Sequence, residues 1–326
     1  MTMNNDPAIP SQGMSGTPLS ALRVAVLVPC FNEEATVAKV VADFRAELPS
    51  AVVHVYDNNS TDSTVAVARA AGAVVARETR QGKGHVIRRM FGDIDADVYV
   101  LVDGDATYDA ASAPRLIAEL VDGGNDMVIG ARVSTDENAY RAGHQIGNRA
   151  LTGFVATVFG TTLVDMLSGF RVFSRRFVKS FPVLSGGFEI ETEMTIHAAE
   201  LDMRVAEIET PYYARPAGSV SKLNTWRDGL RILLMILNLY RAERPMAFFG
   251  LGGAVLIAVS LVLGIPIIVT FLQTGLVTRF PTAILATGLM ILAFLSTACG
   301  FILETVTRGR REMKLLAYLA QSPTKR

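Results

Sequence analysis

Three stretches of the chain carry acidic and amide side chains at the ends of apolar runs. Asp103-Gly104-Asp105 follows Val98-Tyr99-Val100-Leu101-Val102. Two carboxylates with a glycine between them offer hard oxygen ligands to a divalent cation and let a ligand approach closely. A cation held there would neutralise charge developing on a diphosphate leaving group. Aspartates are also common in turns and helix caps, so the triplet informs mainly through its position. Val28-Pro29-Cys30-Phe31-Asn32-Glu33-Glu34 and Val55-Tyr56-Asp57-Asn58-Asn59-Ser60-Thr61-Asp62 share one design, a strand running into a helix start. Turn and cap chemistry, with Asn32 and Ser60 as caps, explains each alone. It does not explain three such ends on one edge.

The elements that would position these residues are legible as alternating patterns. Short apolar runs at 23–28, 52–57, 74–76, 98–103 and 126–132 read as strands, with helical spacing at 33–48, up to Ala70, and around 116–121. Alternation of this kind predicts an α/β fold, a mostly parallel sheet with helices on both faces. Ligands then bind beyond the carboxyl ends of the strands, where Asp57 and Asp103 fall. Further along, 145–160 and 189–201 read as helices, and 170–174 and 204–213 as strands.

Lys and Arg together number 31, as do Asp and Glu, so a general nucleic-acid binder is disfavoured. Two distant cysteines give neither a disulfide framework nor a metal-ligand spacing. Residues 1–20 read as a disordered leader. From 223 to 245, Trp226, Leu230, Leu233, Leu234 and Leu237 alternate with Arg227, Arg231 and Arg241, as in a helix lying at a membrane surface; a core helix is the alternative. The uncharged runs 246–272 and 282–303 each exceed the roughly 20 residues needed to cross a bilayer. The short connection makes them a transmembrane hairpin. Basic residues flank it at Arg241, Arg244, Arg308, Arg310, Arg311 and Lys314, while the loop holds only Arg279. The positive-inside rule then puts the α/β domain (21–222) and a basic tail (304–326) in the cytoplasm, at the inner membrane.

The ordered motifs resemble the glycosyltransferase-A domain of family 2 glycosyltransferases. They are Val28-Pro29-Cys30-Phe31-Asn32-Glu33, Asp57-Asn58-Asn59-Ser60-Thr61-Asp62, Gly82-Lys83-Gly84, Asp103-Gly104-Asp105 and Gly130-Ala131-Arg132. Downstream, Asp165-Met166-Leu167-Ser168-Gly169-Phe170-Arg171 and Ser221-Lys222-Leu223 are similar to the branch acting on polyisoprenyl phosphates. The resemblance implies that Pro29, Asn32, Glu33, Asp57, Asn59, Lys83, Asp103 and Gly104 bind the nucleotide sugar. Asp103, Asp105, Arg132 and Asp165 would form the catalytic group, with Asp103 and Asp105 holding Mg2+ or Mn2+. Arg171, Arg215, Ser221 and Lys222 would receive the acceptor phosphate. Asn58-Asn59 stands where the family more often has Asp-Gly, and Ala106-Thr107 where mannose synthases carry other residues. Lys83 also reads as an exposed lysine on a flexible loop, and Glu191 as one of a solvated acidic face with Glu189 and Glu193.

A phosphate monoester has a second pKa of about 6, so such an acceptor is already anionic at neutral pH and needs positioning more than a general base. The expected partners are a nucleotide diphosphate sugar, a polyisoprenyl phosphate, the bilayer and a second copy of the chain. The alternatives are a transferase acting on another lipid and a non-catalytic membrane scaffold. A processive synthase is disfavoured because Leu223-Asn224-Thr225 precedes Trp226 where a Q-x-x-R-W motif would need other residues.

Overall fold

The computed structural model describes residues 21–134, 153, 165–187, 189–215, 238 and 240–322. The expected leader, the helix at 145–160, most of the interfacial helix, and Ser221 and Lys222 lie outside the described residues. Seven strands form one sheet: β1 (Val24–Cys30), β2 (Val52–Asp57), β3 (Val74–Arg77), β4 (Val98–Leu101), β5 (Met127–Ser134), β6 (Arg171–Ser174) and β7 (Val205–Tyr212), in the order β3-β2-β1-β4-β6-β5-β7. Every pairing is parallel except those of β6, which runs antiparallel to both β4 and β5.

The apolar runs form central strands because both faces are covered. Along β1, Val24, Val26 and Val28 face one core with α1 (Val37–Glu47), α2 (Thr64–Ala70) and α4 (Ala113–Asp122). Ala25 and Leu27 face a second core with α3 (Lys83–Asp93), α5 (Arg175–Ser180) and α6 (Ile190–Glu200). The period of two sends neighbours to opposite layers. In α1, Val37, Val40, Val41 and Phe44 are all buried, at about 1.5–3 kcal/mol for each large side chain. Strand order reverses between β1 and β4: the chain winds outward from β1 to β3, then returns to place β4 on the other side of β1. The crevice above such a reversal is where this sheet type can admit a ligand.

Two helices follow, α7 (Pro245–Thr274) and α8 (Phe280–Leu319), both long and apolar enough to cross a membrane. Only 6% and 17% of their most apolar stretches are buried, unlike helices of a soluble core. They pack through small residues. A Cβ at Gly253 would lie 2.7 Å from Thr297 Oγ1, Ser260 Oγ donates to the Ala286 carbonyl at 2.8 Å and Ser296 Oγ to that of Phe249 at 2.8 Å. Such contacts let helix backbones approach closely.

The second helix does not stop at Leu303. It continues to Leu319, 40 residues, or about 60 Å against a hydrocarbon layer of about 30 Å. The segment expected as a basic tail is therefore mostly helix, and it docks on the catalytic domain. Thr307 donates to the Ala242 carbonyl at 3.1 Å, Lys314 Nζ pairs with Glu200 at 2.5 Å, and Arg311 reaches Glu243 at 3.5 Å. Tyr318 Oη donates to Asp126 at 2.9 Å, with the Arg176 guanidinium 4.7 Å over its ring. Asp126 immediately precedes β5, at the amino edge of the sheet.

Candidate active site

A cavity of about 290 Å³ opens at the β1–β4 reversal, lined among others by Pro29, Glu33, Asn58, Gln81, Lys83, Asp103, Gly104, Asp105 and Arg215. Three strand ends build it. After β1, Asn32 takes a left-handed conformation (φ 53°), which asparagine tolerates. Its backbone N–H donates to Ser60 Oγ and its side-chain oxygen accepts from the Thr61 N–H, both at 2.8 Å. Glu33 N–H donates to Thr64 Oγ1 at 2.8 Å, and Thr36 Oγ1 donates to the Gly104 carbonyl at 2.7 Å. Asn32 thus sews the first loop to the second, while Glu33 and Thr36 join it to the second and third.

Glycine at position 104 is a packing requirement, since a Cβ there would sit 2.7 Å from Cys30 Sγ. The Asp105 carboxylate accepts from Thr107 Oγ1 at 2.6 Å, across an Ala106 with φ 57°. A left-handed alanine is strained, and strain of this kind collects at functional turns. Gly169 N–H donates to Tyr108 Oη at 2.8 Å, and a Cβ on Gly169 would run into the Asp103 carboxylate.

Each basic side chain here meets a carboxylate. Lys83, expected either at the donor or on a flexible loop, opens α3 with its ammonium 2.5 Å from Asp103 and 2.5 Å from Glu191. Burial pulls the Lys83 pKa down, but the two carboxylates override it and hold it above the usual lysine range. Glu191 is buried rather than solvated. Arg215 Nη2 lies 2.8 Å from Asp105. Burial, then the Asp103 carboxylate, pushes the Asp105 carboxyl up, against Thr107 and Arg215.

Asp103 and Asp105 fit a hard divalent cation: both are oxygen donors on one turn, in one cavity, with the Lys83 ammonium and the Arg215 guanidinium against them. Among the described residues no group of three or more His, Cys, Asp or Glu has metal-binding geometry. A cation held by one or two carboxylates normally completes its sphere with water and ligand phosphate, and Mg2+ in particular is bound this way.

Other expected residues stand elsewhere. Arg132 and Asp165 pair with each other through two bonds of 2.7 and 2.8 Å, with the guanidinium 5.5 Å over the Tyr212 ring. Burial pushes the Asp165 carboxyl up, but Arg132 outweighs it and holds it below the ordinary range. Asp57 is 2% exposed and accepts from the Ser60 N–H at 3.2 Å; its neighbour Asn58 lines the cavity instead. Asn59 binds the Thr79 carbonyl at 2.9 Å. Arg171 corrects the expectation of a phosphate ligand. It is fully buried, donates to the Ser168 carbonyl at 2.9 Å and Thr195 Oγ1 at 3.0 Å, and also to the Met166 carbonyl, and burial lowers its pKa. Arg215, expected at the acceptor phosphate, lines the same cavity and meets the Asp105 carboxylate there.

Sequence reasoning undervalued Glu191 and missed Tyr108, Thr36 and Glu207, whose carboxylate accepts the Asp165 N–H at 2.9 Å. A signal existed for Glu191: it falls at helical spacing with Met194 and Ala198, and a carboxylate on that apolar face must find a buried counter-charge.

Comparison with known proteins agrees with this geometry. The profile described as Glycosyl transferase family 2 matches residues 25–181. Glycosyltransferase AglJ of Haloferax volcanii is 36% identical over 232 residues, 71% of this chain and 76% of its own. The chain therefore belongs to the family 2 glycosyltransferases, and it is a transferase by that membership. A dolichyl-phosphate hexose transferase of the same organism is 27% identical over 221 residues, 68% of this chain and 95% of its own. Among solved structures, Mycobacterium tuberculosis glucosyl-3-phosphoglycerate synthase in complex with Mn2+, UDP and glucosyl-3-phosphoglycerate shares the fold, with a TM-score of 0.54 at 23% identity over 71% of this chain and 86% of that one.

Proposed function

We propose that this transferase moves a hexose from a UDP- or GDP-linked donor to a polyisoprenyl phosphate, with inversion at the anomeric carbon. One observation carries the reading: the Asp103–Lys83 and Asp105–Arg215 pairs share a cavity at the strand reversal, in a chain that also has two exposed membrane-length helices. The relative named a dolichyl-phosphate hexose transferase supports a lipid phosphate acceptor. The Mn2+- and UDP-bound fold neighbour supports a nucleotide donor and a divalent cation.

Asp103 and Asp105 would hold Mg2+ or Mn2+, which supplies charge neutralisation at the departing diphosphate. Lys83, held by Asp103 and Glu191, is a fixed positive charge beside the same phosphates, set in advance and needing no reorganisation. Pro29, Glu33 and Gly104 shape the donor wall, with Asn32, Asp57 and Asn59 behind it. Arg215 stands between donor and acceptor phosphates, and Ser221 and Lys222 extend the acceptor side. Arg132, oriented by Asp165, would act on the same acceptor. Because the acceptor phosphate is already ionised at neutral pH, its oxygen needs alignment and no dedicated base. The hairpin would keep the lipid tail in the bilayer, with both its ends on the cytoplasmic side of the inner membrane.

Membranes containing the full chain, supplied with a panel of labelled nucleotide sugars and a polyprenyl phosphate, test this. Label should move to a lipid product that mild acid releases. Transfer to a soluble phosphate acceptor, with none to lipid, would refute it.

A further inference from the structure

We infer that Asn58 is a positioning residue that clamps segment 78–82 against the end of β2 and so fixes Lys83 in the cavity wall, on the reading of that cavity as a nucleotide-sugar site. The segment joins β3 to α3 and has no ladder of its own. Asn58 Nδ2 donates to the carbonyls of Glu78 at 3.0 Å and Arg80 at 2.7 Å, while its Oδ1 accepts from the Gly82 N–H at 2.7 Å. Asn59 Nδ2 adds a bond to the Thr79 carbonyl at 2.9 Å. Asn58 is only 4% exposed, and its own N–H is spent on the Cys30 carbonyl at 2.8 Å.

This pattern requires an amide. Two carbonyls need donors and one N–H needs an acceptor, and only asparagine or glutamine combines them on one side chain. An ionised aspartate would face both carbonyls with lone pairs alone. With both amide hydrogens used, Asn58 has none left to donate to a ligand, so its effect on one passes through the segment it holds. Gly82 has φ 132°, a conformation reserved for glycine, and Lys83 follows directly as the first residue of α3. The ammonium meets Asp103 and Glu191 because the helix begins at that point. Asn58 and Asn59 thus form one loop clamp at the end of β2.

The test uses the full chain in detergent micelles. Hydrogen–deuterium exchange across 79–84, read without any ligand, should speed up by roughly tenfold or more in Asn58→Asp and Asn58→Ala, since buried hydrogen bonds are lost. Exchange across β4 should stay at the wild-type rate, which certifies the fold. UDP or GDP with Mg2+ should bind at least about tenfold more weakly to both variants. In Asn58→Asp, binding should partly recover as pH falls from 8 to 5.5, because a protonated carboxyl regains one donor; Asn58→Ala should show no such recovery. Asn59→Gly, which keeps the left-handed backbone, should give an intermediate effect. Wild-type exchange across 79–84 in both Asn58 variants would overturn the clamp. Faster exchange with unchanged nucleotide binding would overturn its role at the site. Faster exchange in the variants, with neither nucleotide bound by the wild type, would uphold the clamp and sink the nucleotide reading instead.

Discussion

Charged side chains gather at both edges of the sheet, in two different states. At the carboxyl edge, Lys83, Asp103, Asp105 and Arg215 line a cavity, and the Asp103 side chain keeps 30% of its surface open. At the amino edge, Glu200 and Glu243 are closed in between α6, the helical turn before α7, and the end of α8, with Lys314 and Arg311 against them. Glu243 is pushed up to about 7, first by burial and then by its hydrogen bond to Glu200, so the two glutamates share a proton as the pH falls below that value. Each set pairs a lysine and an arginine with two carboxylates. Solvent-accessible space beside the carboxylates separates a site that can take a ligand from a junction whose charges are already satisfied by the chain.

The sharpest test of this contrast is Asp105→Asn. It should cut transfer by about a thousandfold, in the range for loss of a charge-stabilising group. Stability should not fall, because the change removes a desolvated carboxylate beside Asp103. Kinetics and thermal unfolding on one preparation decide it; a folded, fully active variant in the presence of chelator would break the site assignment. Lys314→Ala should do the reverse. It leaves Glu200, only 2% exposed, short of its closest cation and should destabilise the protein by about 3 kcal/mol, measured by unfolding in micelles, while nucleotide affinity of the folded fraction stays unchanged.

Arg215→Ala is the next in size. Loss of a charge-assisted contact shared by donor and acceptor should weaken both apparent affinities about tenfold. Steady-state kinetics varying each substrate in turn would show it, and an effect confined to the acceptor would return Arg215 to the acceptor side alone.

The smallest effect is a pH dependence at the junction, worth under about 1 kcal/mol per pH unit. The folded pKa of Glu243 lies above its ordinary value of 4.5, so the folded state holds a proton that the unfolded chain releases. Stability should therefore rise as pH falls from 8 toward 6.5. Below that, His197 opposes it: burial, and then Lys314, push its folded pKa down to about 3, so acid protonates it only on unfolding. Unfolding midpoints should rise as pH falls from 8 toward 6.5 and level off near pH 6, and Glu243→Gln should abolish that rise. A wild-type profile that stays flat from 6.5 to 8 would contradict the shared proton.

Much was readable before any coordinates. The sequence pattern located all seven strands, the central ones as apolar runs, because strands buried on both faces leave few other compositions. The Asp103-Gly104-Asp105 turn and the family motifs located the edge where the cavity opens. The uncharged runs marked both long helices, because length and apolarity alone set that requirement.

Tertiary structure decided what long charged side chains do. Arg171 and Lys83 are each a flexible stem with a fixed charge, and nothing local says which carboxylate or carbonyl will meet that charge. Packing took Arg171 into the core beneath Ser168 and brought Lys83 to Asp103, 20 residues away, and Glu191, 108 residues away. The same holds for the helix past Leu303. It read as a basic tail, since Glu200 and Asp126, the partners of Lys314 and Tyr318, are over a hundred positions distant. Local composition determined which segments are buried and which turns can carry chemistry; only the closing of the sheet decided which charges meet.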